Sequence, residues 1–223
     1  MKIEYLGHSC FCIENKAGVK IVMDPYSRVG YELPNNLKAQ VVTVSHNHFD
    51  HNHAEGIKGY PVVISSAGEY ELHGVKIVGK NTWHDQEKGR FRGGNVMFTV
   101  EVDGVTICHF GDLGEMNFEK IGSIASEADI WLLPVGGTYT INGEQAKQYV
   151  DKFVPKMVIP MHYRPQDGTL DISPASDFLG RFKPSEITCC PSGIMTIEES
   201  DLPTEGNNLK KGRTKIVYME RKK

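Results

Sequence analysis

Eight residues, His46-Asn47-His48-Phe49-Asp50-His51-Asn52-His53, hold four of the chain's nine histidines and a carboxylate. Imidazole nitrogen and carboxylate oxygen are the usual donors for zinc, manganese and iron. In an extended segment, residues two apart share a side. His46, His48 and Asp50 therefore align, and His51 falls on the other side. One loop can then address two ions, with His46 and His48 toward one and Asp50 and His51 toward the other. A metal needs further ligands, and three candidates lie at or beyond the ends of predicted strands: His84, Asp112 and His162. In layered α/β folds, loops at the carboxyl ends of strands come together, so these can meet. The plain alternatives are a solvated polar loop for the cluster and a helix cap or turn for the others.

Other groups have weaker claims. His109, three positions before Asp112, is either structural or a proton donor to a leaving group. His8 is either a core histidine or a residue lining the site. His53 reads as a solvated residue at a helix start, with support of a ligand as the alternative. Arg28, Arg92 and Arg164 could grip an anionic substrate in bidentate fashion, against the plain reading of solvated surface arginines. Gly136-Gly137 lacks the spacing of a dinucleotide or phosphate loop and reads as a turn, and no G-x-S-x-G elbow is present.

The elements that must position these residues follow from hydrophobic patterning. Ile3–Leu6, Cys10–Glu14 and Val19–Met23 predict an antiparallel meander. Val41–Ser45 is a continuous apolar run, as in a strand buried on both faces. Pro61–Ser65, Glu69–Leu72 and Val75–Val78 predict strands, and Asn81 to Asn95 a long polar loop. Val96–Val102 and Val105–Phe110 flank Asp103-Gly104, a hairpin signal. Strands follow at Asp129–Leu133 and Met157–Pro160, and helices at Gly143–Phe153 and Ser173–Phe182, capped by Asn142 and Ser173 with Pro174 at the first helical position. Ile187–Cys190, Ile194–Glu198 and Lys215–Met219 close the chain as strands, with Asp201–Arg213 a polar surface loop. Hairpins first and strand–helix alternation later imply an α/β or α+β layered domain, one domain over residues 1–223.

Bulk composition narrows the partners. With 25 basic against 28 acidic residues, the net charge of -3 argues against general nucleic-acid binding. No apolar stretch approaches the ~18 residues of a membrane span, and no leader peptide is evident. Five cysteines do not form a disulfide framework, so a reduced cytoplasm is the expected compartment. Nothing in the sequence addresses oligomeric state.

His-x-His-x-Asp-His after a buried strand, then His84, Gly111-Asp112 and His162, resembles the metallo-β-lactamase fold superfamily. Leu6-Gly7-His8-Ser9, Asp24-Pro25-Tyr26, His84-Asp85, Arg92-Gly93-Gly94-Asn95, Pro134-Val135-Gly136-Gly137 and Pro160-Met161-His162-Tyr163 are similar to the branch of L-ascorbate-6-phosphate lactonase and related metal-dependent hydrolases. The resemblance implies a four-layer αββα sandwich. It implies His46, His48 and His84 on a first metal, Asp50, His51 and His162 on a second, and Asp112 bridging. Asp112 departs from true β-lactamases, which place Cys there, and His48 from flavodiiron reductases, which place Glu. The expectation is a metal-dependent hydrolase of a small ester, lactone or phosphoester, its substrate anionic if the arginines take part. Two divalent ions are expected, zinc first and manganese or iron as alternatives, with Asp50 and His109 as catalytic candidates. An iron-dependent oxidoreductase, or a metal-binding protein without turnover, remain as alternative classes.

Overall fold

A computed structural model describes residues 1–203 and 214–222 of the chain. Among these residues, fourteen strands fall into two sheets. The strands are β1 (Lys2–Gly7), β2 (Cys10–Glu14), β3 (Lys20–Met23), β4 (Val41–Thr43), β5 (Val62–Ile64), β6 (Gly68–Leu72), β7 (Val75–Trp83), β8 (Gly94–Val102), β9 (Val105–His109), β10 (Ile130–Pro134), β11 (Met157–Met161), β12 (Ile187–Cys190), β13 (Ile194–Thr196) and β14 (Lys215–Met219). The helices are α1 (Phe118–Ala125), α2 (Gly143–Phe153) and α3 (Ser176–Leu179). One sheet has the order β13-β1-β2-β3-β4-β5, the other β12-β14-β11-β10-β9-β8-β7-β6.

Period-two patterning decides how the sheets stack. In β2, Phe11 and Ile13 enter a core shared with Phe98, Val100 and Ile107 of the second sheet. The intervening Cys10 and Cys12 join a separate cluster with Val22, Val42 and Tyr26. The register Phe11↔Met23 and Ile13↔Ile21 keeps like faces together. The first sheet is thus buried on both faces, although its outer cover is largely the segment after β3 with Tyr31, Leu33 and Leu37, rather than a long helix. The second sheet is covered by α1 and α2, whose Ile121, Ala146 and Tyr149 pack into the core beside Trp131. This is a mixed α/β layered fold.

Three differences from the sequence expectations have physical causes. First, the polar 81–95 loop is shorter. β7 and β8 stay paired through Asn81↔Val96, Thr82↔Asn95 and Trp83↔Gly94. The residual loop is folded around Asp85, whose carboxylate accepts the backbone N–H groups of Glu87, Gly89, Phe91 and Arg92. Second, the helix expected over Ser173–Phe182 begins late. Ser173 N–H donates to Gly136 O and its carbonyl accepts from Arg164 N–H, so its backbone is committed to loop pairing. Only Ser176–Leu179 is α-helical, and Ser173 is not its cap. Third, α1 is not among the expected helices, although Phe118, Ile121 and Ala125 recur at helical spacing; it is short, with Gly122 on its buried face. A Cβ there would stand 2.5 Å from the Phe153 ring, so the close approach of α1 to α2 requires glycine. Most of the expected Asp201–Arg213 loop lies outside the described residues.

Strand direction is what concerns function. β1, β3 and β4 run the same way in the first sheet, and β7, β9 and β11 the same way in the second. Every chemistry-bearing residue lies just past the carboxyl end of one of these six: His8, Asp24, the His46–His51 loop, His84, Asp112 and His162.

Candidate metal centre

Two groups of donors converge at this edge. His46, His48 and His84 offer ligand atoms within 4.8 Å of one another, and so do His8, Asp50, His51 and His162. Asp112 lies between the groups. Its Oδ2 is 3.2 Å from His84 Nε2 and 3.2 Å from His162 Nε2, while its Oδ1 is 3.1 Å from His51 Nε2. His46 Nε2 stands 3.8 Å from Oδ2. All seven expected ligands are therefore gathered, from loops of both sheets.

The donor atoms fit a cation better than one another. His46 Nε2, His51 Nε2, Asp112 Oδ1 and His162 Nε2 are buried without a hydrogen-bond partner. Buried polar atoms are normally paired, and an unpaired one costs free energy. Nitrogen and oxygen 3.1–3.8 Å apart without hydrogen-bond geometry are what common coordination produces.

Hydrogen bonds behind the ligands fix which nitrogen faces inward. Asp24 Oδ2 accepts from His51 Nδ1–H at 2.7 Å and from Ser45 Oγ–H at 2.5 Å. Ser45 Oγ in turn accepts from His46 Nδ1–H at 2.9 Å. Both rings thereby turn Nε2 inward, one in each donor group. Asp24 itself is held by Ser45 N–H at 2.7 Å and is fully buried. The Asp112 loop is organised by Asn95, which accepts Asp112 N–H and donates to Phe110 O.

Electrostatics follow from burial and from this clustering. Burial and the neighbouring His51 push the His46 imidazole down to about 2. Burial likewise lowers His84, helped by His48 and His51. Both stay neutral with a lone pair free at ordinary pH. Burial opposes charge on Asp112, but His162 and His51 outweigh it and hold the carboxyl well below the usual range. Asp50 is lowered in the same way, its burial outweighed by the His8 hydrogen bond and His51. His51 moves the other way, well above its usual value, because Asp112 and Asp24 outweigh burial.

The centre opens into a cavity of about 480 Å³ walled by Phe49, Leu170, Tyr139 and Arg92, with His48, Asp50, His84 and Asp112 at its floor. Arg92 lies over the Tyr139 ring at 5.4 Å. Other sequence candidates are placed elsewhere. His109 is fully buried and does not line this cavity. Its Nε2–H donates to Ser9 O and its Nδ1 accepts Gly111 N–H, so neither nitrogen is free to serve a leaving group. His53 pairs with Glu55, Arg28 is exposed outside the cavity, and Arg164 lines a smaller recess behind His8. Asp24 and Ser45 were not among the candidates; Asp24 is a polar residue immediately after the buried strand β3, and Ser45 lies two residues past the end of β4.

Comparison with known proteins agrees with this geometry. The family model for the beta-lactamase superfamily domain matches residues 2–162. The chain is 34% identical over 195 residues to a UPF0173 metal-dependent hydrolase of Pelotomaculum thermopropionicum, covering 73% of this chain and 84% of that protein. It is 31% identical over 192 residues, with the same coverage, to a UPF0173 metal-dependent hydrolase of Pyrococcus abyssi. A crystal structure from Thermotoga maritima, of the metallo-beta-lactamase superfamily, superimposes with a TM-score of 0.77 at 36% identity over 98% of both chains. No helix among the described residues is long and apolar enough to cross a membrane.

Proposed function

Since the chain belongs to the beta-lactamase superfamily and is a metal-dependent hydrolase, we propose that its centre holds two divalent ions, zinc first and manganese next, and hydrolyses a small anionic ester, lactone or phosphoester in the cytoplasm. His46, His48 and His84 would hold one ion, Asp50, His51 and His162 the other, with Asp112 shared. The single observation that carries this reading is Asp112, 3.2 Å from a histidine of each donor group.

Bound divalent ions would lower the pKa of a water from 15.7 toward ~7 and polarise the attacked carbonyl or phosphoryl oxygen. The chain's own groups do the rest. Asp50 stays ionised beside His8 and His51, and the carboxylate oxygen not engaged by His8 is available to orient the attacking water. Arg92, the cation on the cavity wall, binds the substrate's anionic group, and its stacking on Tyr139 fixes the guanidinium. Phe49, Tyr139 and Leu170 cover the apolar body of the substrate and exclude water. His109 keeps its proton on Nε2, donated to Ser9 O, and braces the turn at Gly111 that carries Asp112. Burial of the free thiols Cys10, Cys12 and Cys108 suits a reducing compartment.

The test is chelation followed by reconstitution with zinc, manganese or iron, with elemental analysis and a panel of chromogenic phosphodiesters, lactones and thioesters. Two zinc or manganese ions per chain, with turnover lost on chelation and restored by them, is the expected result. One iron per chain, or turnover indifferent to verified metal loss, would overturn it.

A further inference from the structure

The second donor group contains one residue more than the ligand set requires. His8 is buried, and its Nε2 lies 3.1 Å from Asp50 Oδ2. Its ring packs 4.3 Å from the His162 ring and 5.1 Å from that of His51. Yet it stands outside the circle of Asp112. His46, His51, His84 and His162 each come within 4.0 Å of that carboxylate, whereas the carboxylate His8 meets is Asp50. Asp50 Oδ2 is nearer to His8 than to His51, whose Nε2 is 3.7 Å away.

The backbone is shaped to put His8 there. His8 has φ of 54°, in the left-handed region that disfavours side chains with a Cβ. His162 has φ of 51°. The two strained residues are tied together, since His162 N–H donates to His8 O at 2.9 Å, and the same carbonyl accepts Tyr5 O–H at 3.0 Å. Strain of this kind persists only where the surroundings over-determine it, and it gathers at functional sites. Here it folds the chain back at the end of β1 so that an imidazole on one sheet reaches both a ligand from the β4 loop and a ligand from β11.

We propose that His8 is a positioning residue for the second metal: its Nε2–H holds Asp50 Oδ2, aiming the carboxylate at the cation site, while its ring buttresses His162. This rests on the dinuclear reading above. It assigns His8 no bond to metal or substrate. Removing such a support typically weakens metal binding 10–100-fold while the ligands themselves remain.

The test is metal content and competitive metal titration on wild type, His8→Ala, His8→Asn and His8→Gln. A glutamine amide can reach the position of the imidazole Nε2–H and donate there, yet ligates poorly; asparagine accepts the left-handed backbone but is too short. The expected result is an undisturbed first ion in all four. The second should bind about 10–100-fold more weakly in His8→Ala and His8→Asn, and near wild type in His8→Gln. Full second-site affinity in His8→Ala overturns the proposal, and so does a His8→Gln protein that loses the second ion as fully as His8→Ala. Nitrogen-15 NMR of the zinc-loaded wild type asks the same question without a variant: the His8 ring should be neutral with its proton on Nε2, and a metal-bound Nε2 overturns the assignment. A wild-type chain holding a single ion sinks the dinuclear reading with it; two ions bound with wild-type affinity in every His8 variant sink this inference alone.

Discussion

Asp24 Oδ2 lies 2.7 Å from His51 Nδ1, and both residues are fully buried, in the segments that follow β3 and β4 of the same sheet. The same oxygen reaches His46 through Ser45, so one carboxylate sets the tautomer of a histidine in each donor group. Asp24→Asn retains the shape but replaces a carboxylate acceptor with an amide. Either the amide nitrogen faces the ring or a weaker neutral acceptor does. Metal affinity should fall about 10–100-fold at both positions. Metal retained after dialysis against a weak chelator checks this, and unchanged retention would show that Asp24 serves only the fold.

Asp112 and His162 should separate by stoichiometry. Asp112 contacts both donor groups, so Asp112→Ala should lose both ions and reduce turnover by about a hundredfold or more. His162 belongs to one group, so His162→Ala should retain about one ion, held by His46, His48 and His84. Elemental analysis of the two purified variants decides. Equal metal content in both would contradict a shared carboxylate.

Acid should destabilise the metal-free protein. In the unfolded chain, histidines take up protons near ~6.5. In the folded chain, burial resists this at His46, pushed down to about 2, at His8, pushed down to about 4, and at His84 and His109, also lowered. A lowered folded pKa means that the unfolded state binds more protons below ~6.5, so stability falls as pH drops from there toward the folded values. His51, which is raised, acts oppositely, but only above ~6.5; below that it is protonated in both states. Between pH 6.5 and 5 the apoprotein's Tm should therefore fall by about 5–10 °C, at ~2–4 °C per kcal/mol for a chain of this size. A scan of chelated protein in matched ionic strength measures it, and a flat or rising Tm over that window would refute the assignment of neutral buried histidines.

Gly114 is fixed by its neighbour rather than by its own backbone angle. A Cβ at this position would collide with the carbonyl carbon and oxygen of His84. Its N–H also donates to Trp83 O at 2.9 Å. Gly114→Ala must push apart the loops that carry His84 and Asp112. The expected outcome is loss of the first ion's affinity together with a Tm drop of several degrees, read by titration and thermal melt. A variant with normal metal content would mean that the two loops can shift without breaking the centre.

Much of this was legible from residue type alone, and the limits are instructive. That the seven candidate ligands would gather was readable because metal chemistry restricts donors to a few side chains, and because a strand end is marked by apolar patterning just before it, as at Val41–Thr43 before His46. The paired strands were readable where period-two alternation was strong. What supports the ligands was not. Asp24 and Ser45 are ordinary turn-type residues in a sequence, and only the parallel pairing of β3 with β4 brings them together. The 81–95 segment misled because its strand residues are polar: Thr82 and Asn95 are buried yet bonded to each other, so polarity there marks a satisfied network and not a loop. His109 misled in the opposite sense. Its spacing from Asp112 suggested proton transfer, but its bond to Ser9 O, 100 positions away, could not be seen from the sequence, and Gly111 N–H takes the other nitrogen.

Arg92 is where substrate charge should be felt. It lies on the cavity wall with Phe49, Tyr139 and Leu170, half-buried, its guanidinium 5.4 Å from the Tyr139 ring. Its backbone N–H is pinned to Asp85, so the side chain springs from a fixed point. A hydrogen bond to a charged group contributes about 1.5–3 kcal/mol, roughly 10–100-fold in binding. Arg92→Ala should therefore raise KM for an anionic ester by about that factor and leave kcat within a few-fold, because the contact is made equally in ground and transition states. A neutral ester of the same size should be nearly indifferent. Arg92→Lys keeps the charge but not the planar fork or the stacking, and should fall between. Parallel kinetics on the charged and neutral pair carry the decision: equal losses on both would show that Arg92 shapes the wall through Tyr139 and recognises no anion.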